Sequence, residues 1–428
     1  MNQKFPEVPE KDAKKRPPAQ QAGRGPQGSR RPVGERKSDD IPSAPQLRRR
    51  AESLAEEERR AGITTVLFSV TVAAVALFVC LLVAVLTVRT ALPSTDKPKP
   101  RQSETDGNGT SITPIDPGEI IFTPGAVTLP KSSSATKSIS GIDSRYAVLV
   151  NAATGEILAG KDADVRFSPA SMTKVMTLLV ACEKLKTGDL TQDLTNTEEL
   201  HNYVRAGKYR GLTVHWADVG DGADLLEQLY GIGVVSAADC VMMVATYICQ
   251  KATPAENEAA FVELMNAEVA KMGLQNTHFD NPVGYESENN YSTAADMAAI
   301  MMRALQCDLI RQILSTPSRD FSAFGYNSKG DFVPSYNSHF YSTLFNVNGS
   351  GRIAAYEKKY NTTFRLSSLT LGGGKTGSLG SGSNYVYSLV SFATSADKSK
   401  TYICVTGETA TGSEVMKDAK TIYDGYSN

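Results

Sequence analysis

The sequence predicts an α+β domain, an antiparallel sheet with a helical lobe, preceded by a disordered arm and one transmembrane helix. Three observations carry this. Strand-like runs stand at both ends of residues 144–428, helix-spaced apolar runs fill the stretch between them, and one uncharged run of membrane-spanning length lies upstream.

Residues 1–62 hold 15 Lys+Arg, 10 Asp+Glu, eight prolines and one aromatic, Phe5. That is too little apolar surface to offset the entropy of ordering, so the arm is expected to be disordered. Residues 63–88 (ITTVLFSVTVAAVALFVCLLVAVLTV) contain no charged side chain and exceed the roughly 20 residues an α-helix needs to cross a bilayer core. The run is too long, too far from the N-terminus and too poor in small-x-small sites for a cleaved signal. Arg48, Arg49, Arg50, Arg59 and Arg60 precede it, which orients the arm to the cytoplasm and everything after 88 outward. A cytoplasmic partner for so long an arm is a further expectation. Residues 89–143, rich in Pro, Ser and Thr, read as an extracytoplasmic linker.

From 144 onward the texture is globular, with 24 Lys+Arg against 30 Asp+Glu, one large domain or two closely packed lobes. Residues 146–151 (YAVLVN) and 156–159 (EILA) read as strands around a turn. Residues 172–186 read as a helix opened by Ser168-Pro169-Ala170-Ser171. Further helices are expected at 223–230, 237–250, 257–272 and 293–305, two strands at 385–393 and 401–407, and a closing helix at 413–423. Terminal strands with helices between them imply that the two ends of the domain share one antiparallel sheet.

Composition excludes several functions. With 45 Lys+Arg against 46 Asp+Glu, no basic excess invites nucleic acid. Six cysteines without a C-x-x-C pair and four histidines without H-E-x-x-H give no reason to expect a metal or cofactor. Five cysteines follow the span, mostly in apolar runs, and no obligatory disulfide is expected.

Three short motifs follow in order: Ser171-Met172-Thr173-Lys174, Ser236-Ala237-Ala238, and Lys375-Thr376-Gly377. A spacing of three puts Ser171 and Lys174 on one helical face, where the amine can take the hydroxyl proton. Lys174 must then be partly neutral, through burial or a nearby cation such as Lys375. Glycines around Lys375-Thr376 suit a strand approached closely by a ligand, with the lysine and threonine meeting a carboxylate. Ordered S-x-x-K and K-T-G in an exported domain form the set found in penicillin-binding proteins and class A β-lactamases.

Residues 168–177 (SPASMTKVMT), 261–284 (FVELMNAEVAKMGLQNTHFDNPVG) and 291–297 (YSTAADM) carry the resemblance further. The chain resembles the serine D-Ala-D-Ala carboxypeptidases, the low-molecular-mass penicillin-binding proteins of peptidase family S11. That resemblance implies the penicillin-binding, serine β-lactamase-like transpeptidase fold over 144–428, on a single-pass protein of a bacterial cell membrane. It implies removal of the terminal D-alanine from peptidoglycan stem peptides through an acyl-enzyme on Ser171, with β-lactams acylating the same serine. Lys174 is then the base, Ser236 a proton relay, and the N–H groups of Ser171 and Ser378 the oxyanion hole. Lys375, Thr376, Gly377 and Ser378 bind substrate. His278 is expected to be structural. Three departures are plain: Ala238 stands where the resemblance implies an asparagine, Gly412-Ser413-Glu414 where it implies an arginine near the substrate carboxylate, and Ser378 where it implies His or Tyr. The stretch 307–371 is also longer than the resemblance implies, enough to remodel the cleft. A peptidoglycan-binding homologue with little or no activity is the alternative, and a β-lactamase a third reading.

Overall fold

The computed structural model describes residues 120–123 and 128–427, except 187, 328 and 381–383, and the backbone of a short hairpin, Glu104–Thr105 with Ser111–Ile112. The arm at 1–62 and the expected span at 63–88 lie outside the described residues. Among the described residues no helix is long and apolar enough to cross a membrane.

The sheet forms as the terminal strands imply. Its strands are β1 (Lys137–Ser138), β2 (Tyr146–Asn151), β3 (Ile157–Lys161), β8 (Leu369–Leu379), β9 (Val386–Ser395) and β10 (Thr401–Thr409). They lie in the order β8-β9-β10-β2-β3-β1, antiparallel except for the β1–β3 pair. The two ends of the domain meet where β2 pairs with β10, Val148 opposite Val405. Both faces are covered, so β2 is apolar without interruption: Val148 and Val150 face one core, Ala147 and Leu149 the other.

The helical lobe covers the first face with α1 (Lys174–Lys184), α2 (Leu225–Tyr230), α3 (Ala238–Cys249), α4 (Pro254–Met272), α5 (Ala294–Ala304) and α6 (Asp308–Ser315). On the second face lie α7 (Gly351–Tyr360) and α8 (Gly412–Tyr426). The helix expected from 257 starts earlier, at Pro254. Thr253 accepts from the Glu256 backbone and the Glu256 carboxylate accepts from Thr253 N–H, a reciprocal cap ahead of a first-turn proline. A second sheet, β4 (Asp193–Thr195), β5 (Gly222–Asp224), β6 (Ser318–Tyr326) and β7 (Phe332–Tyr341), is antiparallel throughout. Arg319 on β6 pins the long β6–β7 hairpin to α2 by two hydrogen bonds to Glu227, at 2.7 and 2.8 Å, in a buried pair.

Part of the stretch read as linker belongs to the domain. Phe122 bridges to Cys307, Lys131 to Glu156, and β1 joins the sheet edge. The reason is local: Ile120, Phe122 and Leu129 pack on the main core, and Arg303 stacks over the Phe122 ring at 5.0 Å. Ser144 then ties the start of β2 to α8, its N–H and hydroxyl both donating to Asp418, at 2.6 and 2.7 Å. The five cysteines of the domain are free thiols. Trp216 is core, packed edge-on to Phe321 and donating through its indole N–H to Gln228 at 2.8 Å.

Candidate active site

Ser171 sits on a 3-10 turn, Ala170–Thr173, and Lys174 opens α1 directly after it, so the pair spans a junction rather than an uninterrupted helix. A 3-10 turn eclipses residues three apart. Lys174 Nζ accordingly lies 3.2 Å from Ser171 Oγ. Lys174 is buried, and burial lowers its ammonium to about 7 against the opposing pull of Asp239, so roughly half the amine is neutral near pH 7. Ser171 stays partly accessible.

The segment that follows α4 holds this turn in place. Lys174 Nζ donates to Val283 O at 2.6 Å and Thr177 Oγ1 to Pro282 O at 2.6 Å. Successive carbonyls of one loop thereby accept from successive polar positions on one face of α1. Gly284 completes the fit. Its φ is +75°, and a Cβ there would lie 1.9 Å from the Ala170 carbonyl oxygen. Ala170 itself has a φ of +48°, a strained value for a residue with a side chain. His278 is exposed, its Nδ1 2.7 Å from the Asn289 carbonyl and its ring stacked on Tyr291. Its contacts tie the two arms of the loop together.

Ser236 ends a π-helical turn, Gly231–Val235, with φ +70° and ψ +30°. Its hydroxyl accepts from Lys375 Nζ at 2.8 Å. The left-handed residue turns the chain so that Ser236 faces β8 while Ala238 opens α3. Ala238 is fully buried, and its N–H donates to Thr213 O at 2.8 Å. An amide at that position is absent, and the acceptor for Lys174 is the Val283 carbonyl. Asp239, beside it, receives the backbone N–H groups of His215, Trp216 and Cys240 at 2.8–3.1 Å and fixes the loop behind Ser236.

Lys375 is fully buried on β8. Burial first, then the Lys174 and Arg352 cations, push its ammonium well below the ordinary lysine range. Gly377 lies against the Ala170–Thr173 turn: a Cβ there would stand 3.1 Å from Pro169 O and 3.3 Å from Met172 Cγ. Thr376 Oγ1 is 2.8 Å from Thr343 Oγ1. Ser378 is exposed at the open end of the strand, opposite Tyr387 in register. The three motifs therefore converge on one cleft. Two contributors escaped the sequence reading: the Val283 carbonyl, carried by the N-P-V-G run singled out only as a shaping segment, and Thr343, from the long stretch before β8.

Comparison with known proteins agrees with this arrangement. The family model for D-alanyl-D-alanine carboxypeptidase, peptidase S11, matches residues 132–350. The D-alanyl-D-alanine carboxypeptidase DacF of Bacillus subtilis is 31% identical over 174 residues, 41% of this chain and 42% of that protein. DacC of Escherichia coli is 28% identical over 227 residues, 51% of this chain and 52% of that one. The chain thus spans about half the length of the curated relatives it matches. Among solved structures, the Streptomyces K15 DD-transpeptidase superposes with a TM-score of 0.55 at 25% identity, covering 68% of this chain and 99% of that one. It shares the transpeptidase fold, mixed α and β. A serine and a half-neutral lysine on one turn, a second serine facing a buried lysine, and a family match across two of the three motifs lead to one statement: the chain belongs to the peptidase S11 family.

Proposed function

We propose that the protein is a serine D-Ala-D-Ala carboxypeptidase acting on peptidoglycan stem peptides and acylated by β-lactams. The observation that carries this is the 3.2 Å contact between Ser171 Oγ and a buried Lys174 whose ammonium is lowered to about 7. Lys174 Nζ takes the hydroxyl proton as Ser171 Oγ attacks the carbonyl carbon between the two D-alanines. The C–N bond breaks, and the departing amine nitrogen takes up a proton delivered through Ser236. That proton is the one Lys174 took from Ser171, so the amine is neutral again when water attacks the ester carbonyl carbon; Lys174 takes the water's proton, the Ser171 Oγ–C bond breaks, and Lys174 returns the proton to Oγ. The N–H groups of Ser171 and Ser378 are assigned to the developing oxyanion. Lys375 and Thr376 are assigned to the terminal carboxylate, with Gly377 leaving room for an extended peptide beside β8.

A lysine held partly neutral against a serine favours the enzyme over a wall-binding module, which has no use for a proton acceptor there. The uncharged run at 63–88 and the arginines before it support anchoring in the bacterial membrane with the domain outside. The arm at 1–62 is proposed to meet a cytoplasmic partner.

The test is labelling of the full chain with a fluorescent penicillin, followed by D-alanine release from a stem pentapeptide. Labelling and release are both expected. Absence of labelling would remove the acyl-enzyme, and labelling without release would turn the protein into a binding module.

A further inference from the structure

We infer that Arg352, delivered by the segment between β7 and β8, is a substrate-positioning cation that receives the C-terminal carboxylate alongside Lys375 and Thr376. The inference rests on the peptide-binding reading of the cleft and adds to it a residue from outside the three motifs.

The segment is tied to the cleft at both ends. Thr343 N–H donates to Val234 O at 3.1 Å, two residues before Ser236, and Thr343 Oγ1 meets Thr376 Oγ1 at 2.8 Å. Arg352 N–H in turn donates to Thr343 O at 3.1 Å. The backbone that carries the guanidinium is thus bonded to the residue that touches Thr376. Gly351, with φ +91°, makes the turn possible, since a Cβ there would lie 2.0 Å from Phe345 O.

The side chain then crosses to the open end of β8. Its guanidinium carbon stands 4.4 Å from the centre of the Tyr387 ring, and Tyr387 is the register partner of Ser378. On the other side it packs on Gly412, where an added Cβ would lie 2.5 Å from Nη1. Contact with the Tyr387 ring and with Gly412 holds the guanidinium beside β9. Nε is buried without a hydrogen-bond partner, and among the described residues neither Arg352 nor Lys375 has a carboxylate partner. Burial holds the Arg352 guanidinium below its usual range, and its charge bears on Lys375. A fully buried lysine and a half-buried arginine in one cleft without an anion are unfavourable unless a ligand brings one. A planar fork of donors suits a carboxylate, which it binds bidentately.

Equilibrium binding tests this on full-length Ser171→Ala protein, which separates binding from acylation. The probes are an N-acylated D-Ala-D-Ala with a free C-terminal carboxylate and its C-terminal amide. Arg352→Gln is expected to weaken the acid about 10- to 100-fold and leave the amide unchanged, and Arg352→Lys to recover part of the loss. Equal weakening of both probes, at an unchanged Tm or with a lowered one, would make Arg352 a packing residue and overturn the proposal. So would unchanged binding of the acid, or a parent protein that prefers the acid no more than the amide. Failure of penicillin to label the wild type would count against acylation alone and leave this comparison of acid and amide intact.

Discussion

The cleft holds two serine–lysine pairs built in opposite ways. Ser171 and Lys174 are three residues apart and meet within one turn at 3.2 Å, whereas Ser236 and Lys375 are 139 residues apart and meet between the helical lobe and the sheet at 2.8 Å. The first pair needs only its own turn and the carbonyl of Val283. The second needs lobe and sheet docked, and it inherits the loop-closure cost of that docking. Their charges differ in origin as well. Burial alone brings Lys174 into the range of a working base, while Lys375 also feels two neighbouring cations. In the proposed reaction a local pair is therefore suited to carrying the proton in each step, and a distant pair to sensing that substrate and both halves of the cleft are in place.

Four substitutions would sharpen or break that contrast. Ser171→Ala should abolish penicillin labelling, a fall of about 10⁴-fold or more in acylation rate. Residual labelling above background would move the nucleophile elsewhere. Lys174→Gln should slow acylation by on the order of 10³-fold. In the wild type the acylation rate should rise with pH through about 7, since the Lys174 amine is protonated below that value and free above it. The variant should lose that limb, and a stopped-flow pH profile that keeps it would assign the base to another group. Ser236→Ala should cost only about 10²-fold, because it removes a relay and leaves nucleophile and base in contact. A loss as large as that of Ser171→Ala would erase the proposed division of labour. Gly284→Ala should give the smallest loss in rate, about tenfold, with stability lower by roughly 2 kcal/mol, from the positive φ and the contact with Ala170. Unchanged thermal unfolding and acylation would show that the turn does not depend on that glycine.

The same contrast explains what could be read from the sequence. Ser171 and Lys174 are legible because their relation is a spacing, and spacing survives in one dimension. Lys375 is legible only as a residue type in a glycine-rich strand; its bond to Ser236 depends on how the sheet meets the lobe. The sheet itself was readable from its apolar terminal strands, and β2 pairs with β10 as those strands imply. The β6–β7 hairpin went unread although β6 alternates buried and exposed residues along most of its length, because its partner strand is largely exposed and carries little apolar signal. Thr343 and Arg352 had no local signature at all. Each is an ordinary residue in a long connecting stretch, and only the bonds to Val234 O, Thr376 and the face of Tyr387 give it meaning.

The partner of Lys174 is a main-chain carbonyl, and that has a consequence for how the site can change over generations. No point mutation at Val283 removes its oxygen, so the acceptor is out of reach of side-chain drift. What drift can reach is the frame that aims it: Asn281, which closes the loop by accepting from Tyr285 N–H at 2.8 Å and donating to Tyr285 O at 3.0 Å, and Gly284, which leaves room for it. Selection on the proposed base is in this way displaced onto residues outside the proposed proton path, and a chain with Ala238 in its second motif retains an aimed lysine without recruiting a new side chain.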